Sequence, residues 1–176
     1  MVDFKALRKS ESAFSLTEMA LVLLGGMIIL AAAVPAVNAV LDQYRVVLAA
    51  QAITSQLHYT RMKAVSSNES FSVQFDPASN TYDVRDGANA VVAGPFFLPR
   101  NISWNTSGGG DPIAFVSDFV TFLPTGNVPA TGPGSPVGLN PSVKIVSTRG
   151  VQIDIQVALG GVVRQSKAYT TGSPVF

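Results

Sequence analysis

The sequence of 176 residues contains no cysteine, one histidine and one tryptophan, and only 13% of its residues are charged. The lack of cysteine excludes disulfides, thiolate metal sites and a thiol nucleophile. With His58 as the only imidazole, a site of several histidines is excluded, and a Ser-His-Asp triad would have to use that residue. A net charge of +1 provides no broad field for a polyanion. The composition disfavours an enzyme, and we expect no catalytic residue, cofactor or metal site.

What the sequence does contain is a long apolar stretch near its N-terminus. Residues 19–41 form a run of 23 residues without a charge. As a helix this run is about 35 Å long at ~1.5 Å per residue, against a hydrocarbon core of ~30 Å. Lys5, Arg8 and Lys9 precede it, so we expect the N-terminus to stay in the cytoplasm. The run predicts a membrane-spanning helix, and a secretory signal cleaved near the alanines at 31–33 is the alternative.

A carboxylate stands at the edge of the apolar run. Glu18 follows Phe14 and Leu16, which are apolar and would enter the bilayer with the run. A charge buried there costs about 3 kcal/mol or more. Two interpretations stay open. Glu18 reaches the headgroups and favours the helix N-terminus through the macrodipole, or it meets a cationic partner inside the membrane.

The N-terminus resembles that of the type IV pilins and type II secretion pseudopilins, in which a short basic leader and a small residue precede Phe, three mostly apolar or hydroxyl residues and Glu. Ala13, Phe14 and Glu18 occupy these places. The resemblance implies cleavage by a prepilin peptidase between Ala13 and Phe14 and methylation of the new amine of Phe14. It also implies that Glu18 neutralises that amine in a neighbouring subunit. Ala13 stands where the family usually has Gly, and Pro35 stands where the family has a helix-kinking proline.

The apolar pattern beyond the run predicts that the helix continues outward. Over residues 42–68, apolar and small residues recur with a spacing of 4, 3, 4, 3 and 4, which is typical of one face of an amphipathic helix. Ser66, Ser67 and Asn68 predict its end, because short polar side chains compete with the helical backbone. The face consists of Val46, Ala50, Ile53, Leu57, Thr60 and Ala64.

After Asn68 the pattern changes to alternation, which predicts strands. Residues 71–75 alternate, and residues 151–159 alternate without error up to Gly160 and Gly161, which favour a tight hairpin. Residues 124–142 contain five prolines and four glycines, and we expect a solvated connector there rather than a partner-binding loop. Further strands are predicted over residues 81–85, 91–93, 102–104, 113–116, 119–123 and 162–169.

The second half resembles the GspH/FimT-like minor pilins and pseudopilins. The helix end at 59–65 before the strand at 71–76, and residues 120–126 before the Gly160–Gly161 hairpin, carry this resemblance. It implies an α+β fold, in which a long N-terminal helix packs on a C-terminal antiparallel β-sandwich head. The expected division is a leader peptide over 1–13, a transmembrane segment over 14–41, an amphipathic continuation over 42–68 and a head over 69–176.

The leading hypothesis is a structural subunit, a minor pilin or pseudopilin of an envelope-spanning type II secretion or type IV pilus filament. It places the chain in the inner membrane as a single-pass protein with an extracytoplasmic head. The implied partners are other pilin or pseudopilin subunits, the prepilin peptidase and inner-membrane lipid. The choice between the two filament systems and between tip and shaft positions stays open.

Two alternatives remain, a DNA-binding minor pilin involved in DNA uptake and a monomeric anchored protein. From Asp42 onward, nine Lys or Arg residues are nearly balanced by eight Asp or Glu residues, and the cations are dispersed. Nucleic-acid binding needs clustered cations. Only Arg149, Arg164 and Lys167 could converge, if the last strands are neighbours. We therefore do not expect nucleic acid as a partner, and DNA contact at these three residues is the weaker hypothesis.

Overall fold

The computed structural model describes residues 15–106, 111–138 and 140–170. The chain divides into two compact units, Met1–Asn38 and Ala39–Phe176. One α-helix, α1 (Leu16–Ser67), is followed within the described residues by nine strands. The expected leader over 1–13 and the cleavage site at Ala13 and Phe14 lie outside the described residues. The strands are β1 (Phe71–Asp76), β2 (Thr81–Asp86), β3 (Val91–Phe97), β4 (Ile102–Trp104), β5 (Phe119–Phe122), β6 (Ser142–Ser147), β7 (Val151–Val157), β8 (Val163–Gln165) and β9 (Tyr169–Thr170).

In the first unit, α1 leaves its large apolar side chains uncovered. Their exposed fractions run from 56% at Val37 to 87% at Leu16. An apolar surface of this extent marks a region of contact with lipid or protein. Judged by length and hydropathy together, no helix in the described part of the chain qualifies as a membrane span.

In the second unit, one face of α1 is buried in the head. All six positions of the predicted amphipathic face have no exposed surface. Thr60 is the one polar member, and its hydroxyl donates to the carbonyl oxygen of Gln56 at 2.8 Å, so that it is buried without an unsatisfied donor. The spacing in the sequence therefore identified the buried face correctly.

The helix ends where the polar residues predicted its end. Asn68 adopts the left-handed conformation, with a φ of 52°. The amide of Glu69 donates to the carbonyl oxygen of Ala64 at 3.2 Å, and that of Asn68 donates to Val65 at 3.4 Å. These two bonds form a Schellman motif with asparagine in the place usually held by glycine. The chain thereby leaves the helix in the direction of β1.

Two antiparallel sheets make up the rest of the head. The first has the strand order β3-β2-β1-β5. The second has the order β4-β6-β7-β8, and β9 also pairs with β7. The hairpin predicted at Gly160 and Gly161 joins β7 to β8, and the amide of Gly161 donates to the carbonyl oxygen of Ala158 at 2.8 Å. These pairings confirm the predicted antiparallel sheets.

The helix and both sheets bury side chains in one core. Phe75 of the first sheet meets Trp104 of the second edge to face, with ring centroids 5.4 Å apart. The indole nitrogen of Trp104 donates to the carbonyl oxygen of Asp76 at 3.2 Å, which satisfies its only donor. The fold is thus the α+β class that the sequence predicted, a helix packed with two antiparallel sheets.

Three local predictions differ from the structure. Residues 113–116 form no strand, because positive φ angles at Ser117 and Asp118 turn the chain, and only isolated bridges from Ile113 and Phe115 remain. The strand β6 was not predicted. Residues 124–142 are not a solvated connector, since Val128 and Ser135 are buried. Gly134 of this segment is hydrogen-bonded to β5 and to the residues before it. Its carbonyl oxygen accepts from the amide of Thr121, and its amide donates to the carbonyl oxygen of Val116.

Candidate functional site

The start of α1 carries the carboxylate that the sequence singled out. The amides of Glu18 and Met19 donate to the carbonyl oxygen of Ser15 at 3.0 and 3.1 Å. Glu18 lies in the first helical turn, where the macrodipole favours a negative charge. Its side chain is exposed, and no ion pair within the described residues involves it. An exposed carboxylate in the first helical turn fits both interpretations of Glu18 that the sequence left open.

Pro35, the position expected to kink the helix, lies within α1, and the kink itself stays a prediction. Pro35 supplies no backbone N–H, so one helical hydrogen bond is missing at this point. At Gly25 and at Gly26 the surface of the helix is open, since a Cβ added at either position would meet nothing within 4 Å. This part of the helix therefore has space for close approach by another helix.

A buried carboxylate lies at the first charged position after the apolar run. Asp42 is only 5% exposed, and the guanidinium groups of Arg45 and Arg149 both bond to it. Arg45 Nη1 lies 3.1 Å from Oδ1, and Arg149 Nε lies 3.0 Å from Oδ2. The side-chain amide of Asn101 approaches Oδ1 at 3.5 Å. We call these four residues the Asp42 cluster.

The Asp42 cluster joins three parts of the second unit. It connects α1 to the turn before β4 and to the turn between β6 and β7. A carboxylate this buried is costly unless it is paired, and here two cations pair with it. Sequence reasoning missed this role, although Asp42 was identifiable as the first charge after residues 19–41.

A second arginine of α1 holds two loops. Arg61 Nε donates to the carbonyl oxygen of Gly126 at 2.9 Å, and Nη2 donates to that of Gly160 at 3.2 Å. Arg61, Gly126 and Gly160 lie in three of the four segments that carried the resemblance of the second half. The amide of Val128 also donates to the carbonyl oxygen of Leu159, at 2.8 Å, and so fastens the two loops to each other. The pattern in the sequence thus marks a structural contact.

The three cations considered for DNA contact do not form one patch. Arg149 precedes β7 and pairs with Asp42, whereas Arg164 lies opposite Gln156 near the other end of β7. Along β7, Val151 at the end near Arg149 and Gln156 opposite Arg164 are roughly 17 Å apart at about 3.3 Å per residue. Lys167 lies between them, since it follows Ser166, whose amide bonds to Asp154. The cations are spread along a strand instead of converging.

A polar network closes the C-terminal end of the second sheet. The hydroxyl of Tyr169 donates to Asp154 Oδ2 at 2.7 Å, and Gln152 Nε2 donates to Asp154 Oδ1 at 2.7 Å. The side-chain amide of Asn105 donates to Gln152 Oε1. Burial, and then the neighbouring carboxylate, raises the pKa of Tyr169. The network holds β9 against β7.

Neither metal nor acid-base chemistry has an evident site in the described residues. They contain no group of three His, Asp or Glu residues placed to hold a metal ion. His58 is exposed on α1 and has no carboxylate partner among them. The main functional candidates are instead the exposed apolar surface of α1 in the first unit and the contacts of Asp42 and Arg61 that fix α1 in the head.

Comparison with known proteins agrees with this architecture. The crystal structure of the type IV minor pilin FimU from Pseudomonas aeruginosa superposes with a TM-score of 0.52 at 15% identity, covering 73% of this chain and 95% of that one. A second crystal form of FimU gives a TM-score of 0.47 at 17% identity, covering 69% and 94%. The minor pseudopilin EpsH of the Vibrio cholerae type 2 secretion system gives 0.46 at 13% identity, covering 73% and 99%.

Sequence comparison is more decisive than structural likeness at such low identity. No curated protein matches the chain. The profile of the type II transport protein GspH family, however, matches residues 49–161, which span α1 from Ala49 onward, the strands from β1 to β7 and the Gly160–Gly161 turn. The match covers well over half of the chain, and the chain therefore belongs to the GspH family, within the type IV pilin and pseudopilin superfamily.

Proposed function

We propose that this protein is a minor pilin or pseudopilin, a structural subunit that joins an envelope-spanning filament and catalyses no reaction. The observation that carries the proposal is the match of the GspH family to residues 49–161. The described head supports it, because the contacts of Asp42 and Arg61 fasten the helix to the rest of the head, while the large apolar side chains of α1 before the head are exposed. FimU is a type IV minor pilin and EpsH a minor pseudopilin, so both filament systems are compatible with the fold.

Anchoring in the inner membrane is part of the proposal. Residues 14–41 would hold the chain there as a single-pass segment, with the N-terminus in the cytoplasm and the head outside. Its supports are the 23 uncharged residues over 19–41 and the exposed apolar side chains of α1 in the first unit. Lys5, Arg8 and Lys9 supply the basic side expected in the cytoplasm.

Processing by a prepilin peptidase is a further part. The enzyme would cut between Ala13 and Phe14, remove residues 1–13 and methylate the amine of Phe14. The support is the order of a basic leader, a small residue, Phe and then Glu18 in the sequence. Both the new amine and Glu18 are charges that are costly in hydrocarbon, so each would be neutralised only when subunits meet.

DNA uptake receives no comparable support. The three candidate cations, Arg149, Arg164 and Lys167, are spread along β7 instead of forming one cluster. The described head has no stripe of cations interleaved with exposed aromatics of the kind that single-stranded nucleic acid prefers. A filament subunit is the simpler function.

The test uses the full chain in a bacterium that makes both a prepilin peptidase and a filament. Mass spectrometry of the purified protein should find a start at Phe14 carrying one methyl group. Ala13→Trp should leave the leader attached, because the peptidase accepts a small residue before the cut. A mature protein that starts at Met1 or near Pro35 would refute processing. Sheared filaments that lack the processed chain would refute the structural role.

A further inference from the structure

Three arginines lie at one end of the head. Arg45 belongs to α1, Arg100 to the turn between β3 and β4, and Arg149 to the turn between β6 and β7. Arg45 and Arg149 bond to the same carboxylate. Arg100 precedes Asn101, whose side chain approaches that carboxylate and whose carbonyl oxygen accepts from the amide of Thr148 at 2.9 Å. We call Arg45, Arg100 and Arg149 the basal arginines.

Charge is unequal at this end of the head. Two of the basal arginines, Arg45 and Arg149, pair with the one buried carboxylate, and Arg100 forms no ion pair within the described residues. Asp42 is buried, whereas the side chains of Arg45 and Arg149 are 43% and 42% exposed and Arg100 is exposed. The anion therefore lies inside and the cations face outward. Asp42 holds two guanidinium groups in place without cancelling the positive surface.

The position of these cations along the chain is specific. Asp42 directly follows the uncharged run, and Arg45 lies only about 4.5 Å further along the helix axis at ~1.5 Å per residue. If residues 14–41 lie in the bilayer, as the proposed function has it, the basal arginines are at the level of the headgroups. Cations next to a span are usually enriched on the cytoplasmic side, and these are on the opposite one. The orientation of the span in the membrane therefore does not explain these cations.

We propose that the basal arginines bind the phosphates of anionic phospholipids and hold the head against the outer surface of the inner membrane while the subunit is anchored there. This inference rests on the membrane anchoring in the proposed function. A guanidinium group matches phosphate with parallel hydrogen bonds. Each arginine near an anionic surface contributes about 1 kcal/mol, which corresponds to roughly a five-fold change in the docked population.

The absence of cysteine makes a direct measurement possible. Thr148→Cys introduces a single thiol on an exposed side chain next to Arg149, and Thr131→Cys does the same in the 124–142 loop as a control. Each full-length variant is labelled with an environment-sensitive dye and reconstituted into vesicles of phosphatidylcholine, with or without phosphatidylglycerol. Flotation of the vesicles reports anchoring independently of the dye.

Two changes test the basal arginines in this assay. Arg100→Gln removes a cation that has no ion pair among the described residues. The triple change Asp42→Asn, Arg45→Gln and Arg149→Gln removes both paired cations together with their carboxylate, so that no buried charge is left without a partner. Arg164→Gln is the matched control, with the same loss of charge near the other end of β7.

The expected result is that phosphatidylglycerol shifts the dye at position 148 but not at 131. Arg100→Gln should lower the docked-to-undocked ratio about five-fold, and the triple change, which removes the same net charge, should lower it by a similar factor, while Arg164→Gln should leave it unchanged. An equal dye signal in both lipids, or docking that survives both changes, would overturn the inference while flotation leaves the anchoring intact. A chain that floats with neither vesicle overturns both proposals. A shift of the dye by duplex DNA without vesicles, lost in the same variants, would assign the surface to nucleic acid instead.

Discussion

Arg61 on α1 donates from Nε to the carbonyl oxygen of Gly126, 65 residues further along the chain, at 2.9 Å. The same guanidinium group reaches Gly160 through Nη2 at 3.2 Å. One side chain thus fixes the end of the helix to the loop after β5 and to the hairpin after β7. Lysine has the same charge but lacks the planar arrangement of donors that serves two carbonyl groups at once.

Arg61→Lys should lower the free energy of unfolding by about 1–2 kcal/mol, because at least one hydrogen bond from a charged donor is lost. Urea unfolding of the detergent-solubilised chain should show a lower midpoint with an unchanged slope. Arg164→Lys is the control, since Arg164 is exposed on β8. Equal midpoints for the two variants would show that Arg61 does not contribute to stability through its geometry.

Gly161 is a second point where the two loops meet. A Cβ at this position would lie 2.0 Å from the carbonyl oxygen of Gly126, and its φ is +71°. Gly132 also has a positive φ, of +93°, but a Cβ there would meet nothing within 4 Å. Gly132→Ala should therefore cost only the backbone strain, about 1 kcal/mol.

Gly161→Ala should cost at least about 2 kcal/mol more than Gly132→Ala, because the two loops must also move apart. The comparison is made by thermal unfolding of both variants beside the wild type. If both lose the same stability, the close approach at Gly126 is relieved at little cost and the contact is not a constraint.

Tyr169 makes the stability of the head depend on alkaline pH. Burial and Asp154 raise the pKa of this phenol above its ordinary value of 10.0. A group whose pKa is higher in the folded chain stabilises it fully below the unfolded pKa, and this contribution is lost as the pH rises. Tyr169→Phe should thus lose stability at pH 7, by about 1 kcal/mol, through the missing hydrogen bond to Asp154.

Above pH 10, the stability of Tyr169→Phe should fall less steeply with rising pH than the stability of the wild type. Urea unfolding midpoints over the alkaline range measure this difference. Tyr82 provides a comparison, because burial raises its pKa as well. Tyr82→Phe should flatten the alkaline limb without removing a bond to Asp154. An alkaline limb that is identical in Tyr169→Phe and the wild type would contradict the prediction.

Glu18→Ala should insert into the membrane and fold normally but enter filaments poorly, because the head and its core are unchanged while the proposed charge pair with Phe14 is lost. Glu18→Gln is the sharper variant, since it keeps the shape and removes only the charge. Immunoblots of sheared filaments and of membranes measure incorporation against total protein. Incorporation at the wild-type level would favour the interpretation in which Glu18 serves only the headgroups and the helix macrodipole.

Periodic features were predictable from the sequence. The spacing from Val46 to Ala64 identified the buried helix face, and the alternation over 151–159 identified β7, because a long pattern averages over local exceptions. The strand β6 escaped prediction because it follows a segment rich in Pro and Gly, and because its buried positions include the polar residues Ser142 and Ser147. The partners of Arg61 and Asp42 were also out of reach, because hydrogen bonds between residues 65 and 107 positions apart leave no periodic trace.

The burial of the α1 face has a mechanical consequence. The six side chains from Val46 to Ala64 contact the head over about 27 Å of helix axis at ~1.5 Å per residue, with Arg61 and Asp42 bonded near the two ends. A pull along this part of the axis loads all of these contacts in parallel, as shear, instead of peeling them one after another. The head should therefore resist extraction of its helix until the whole core fails in one event.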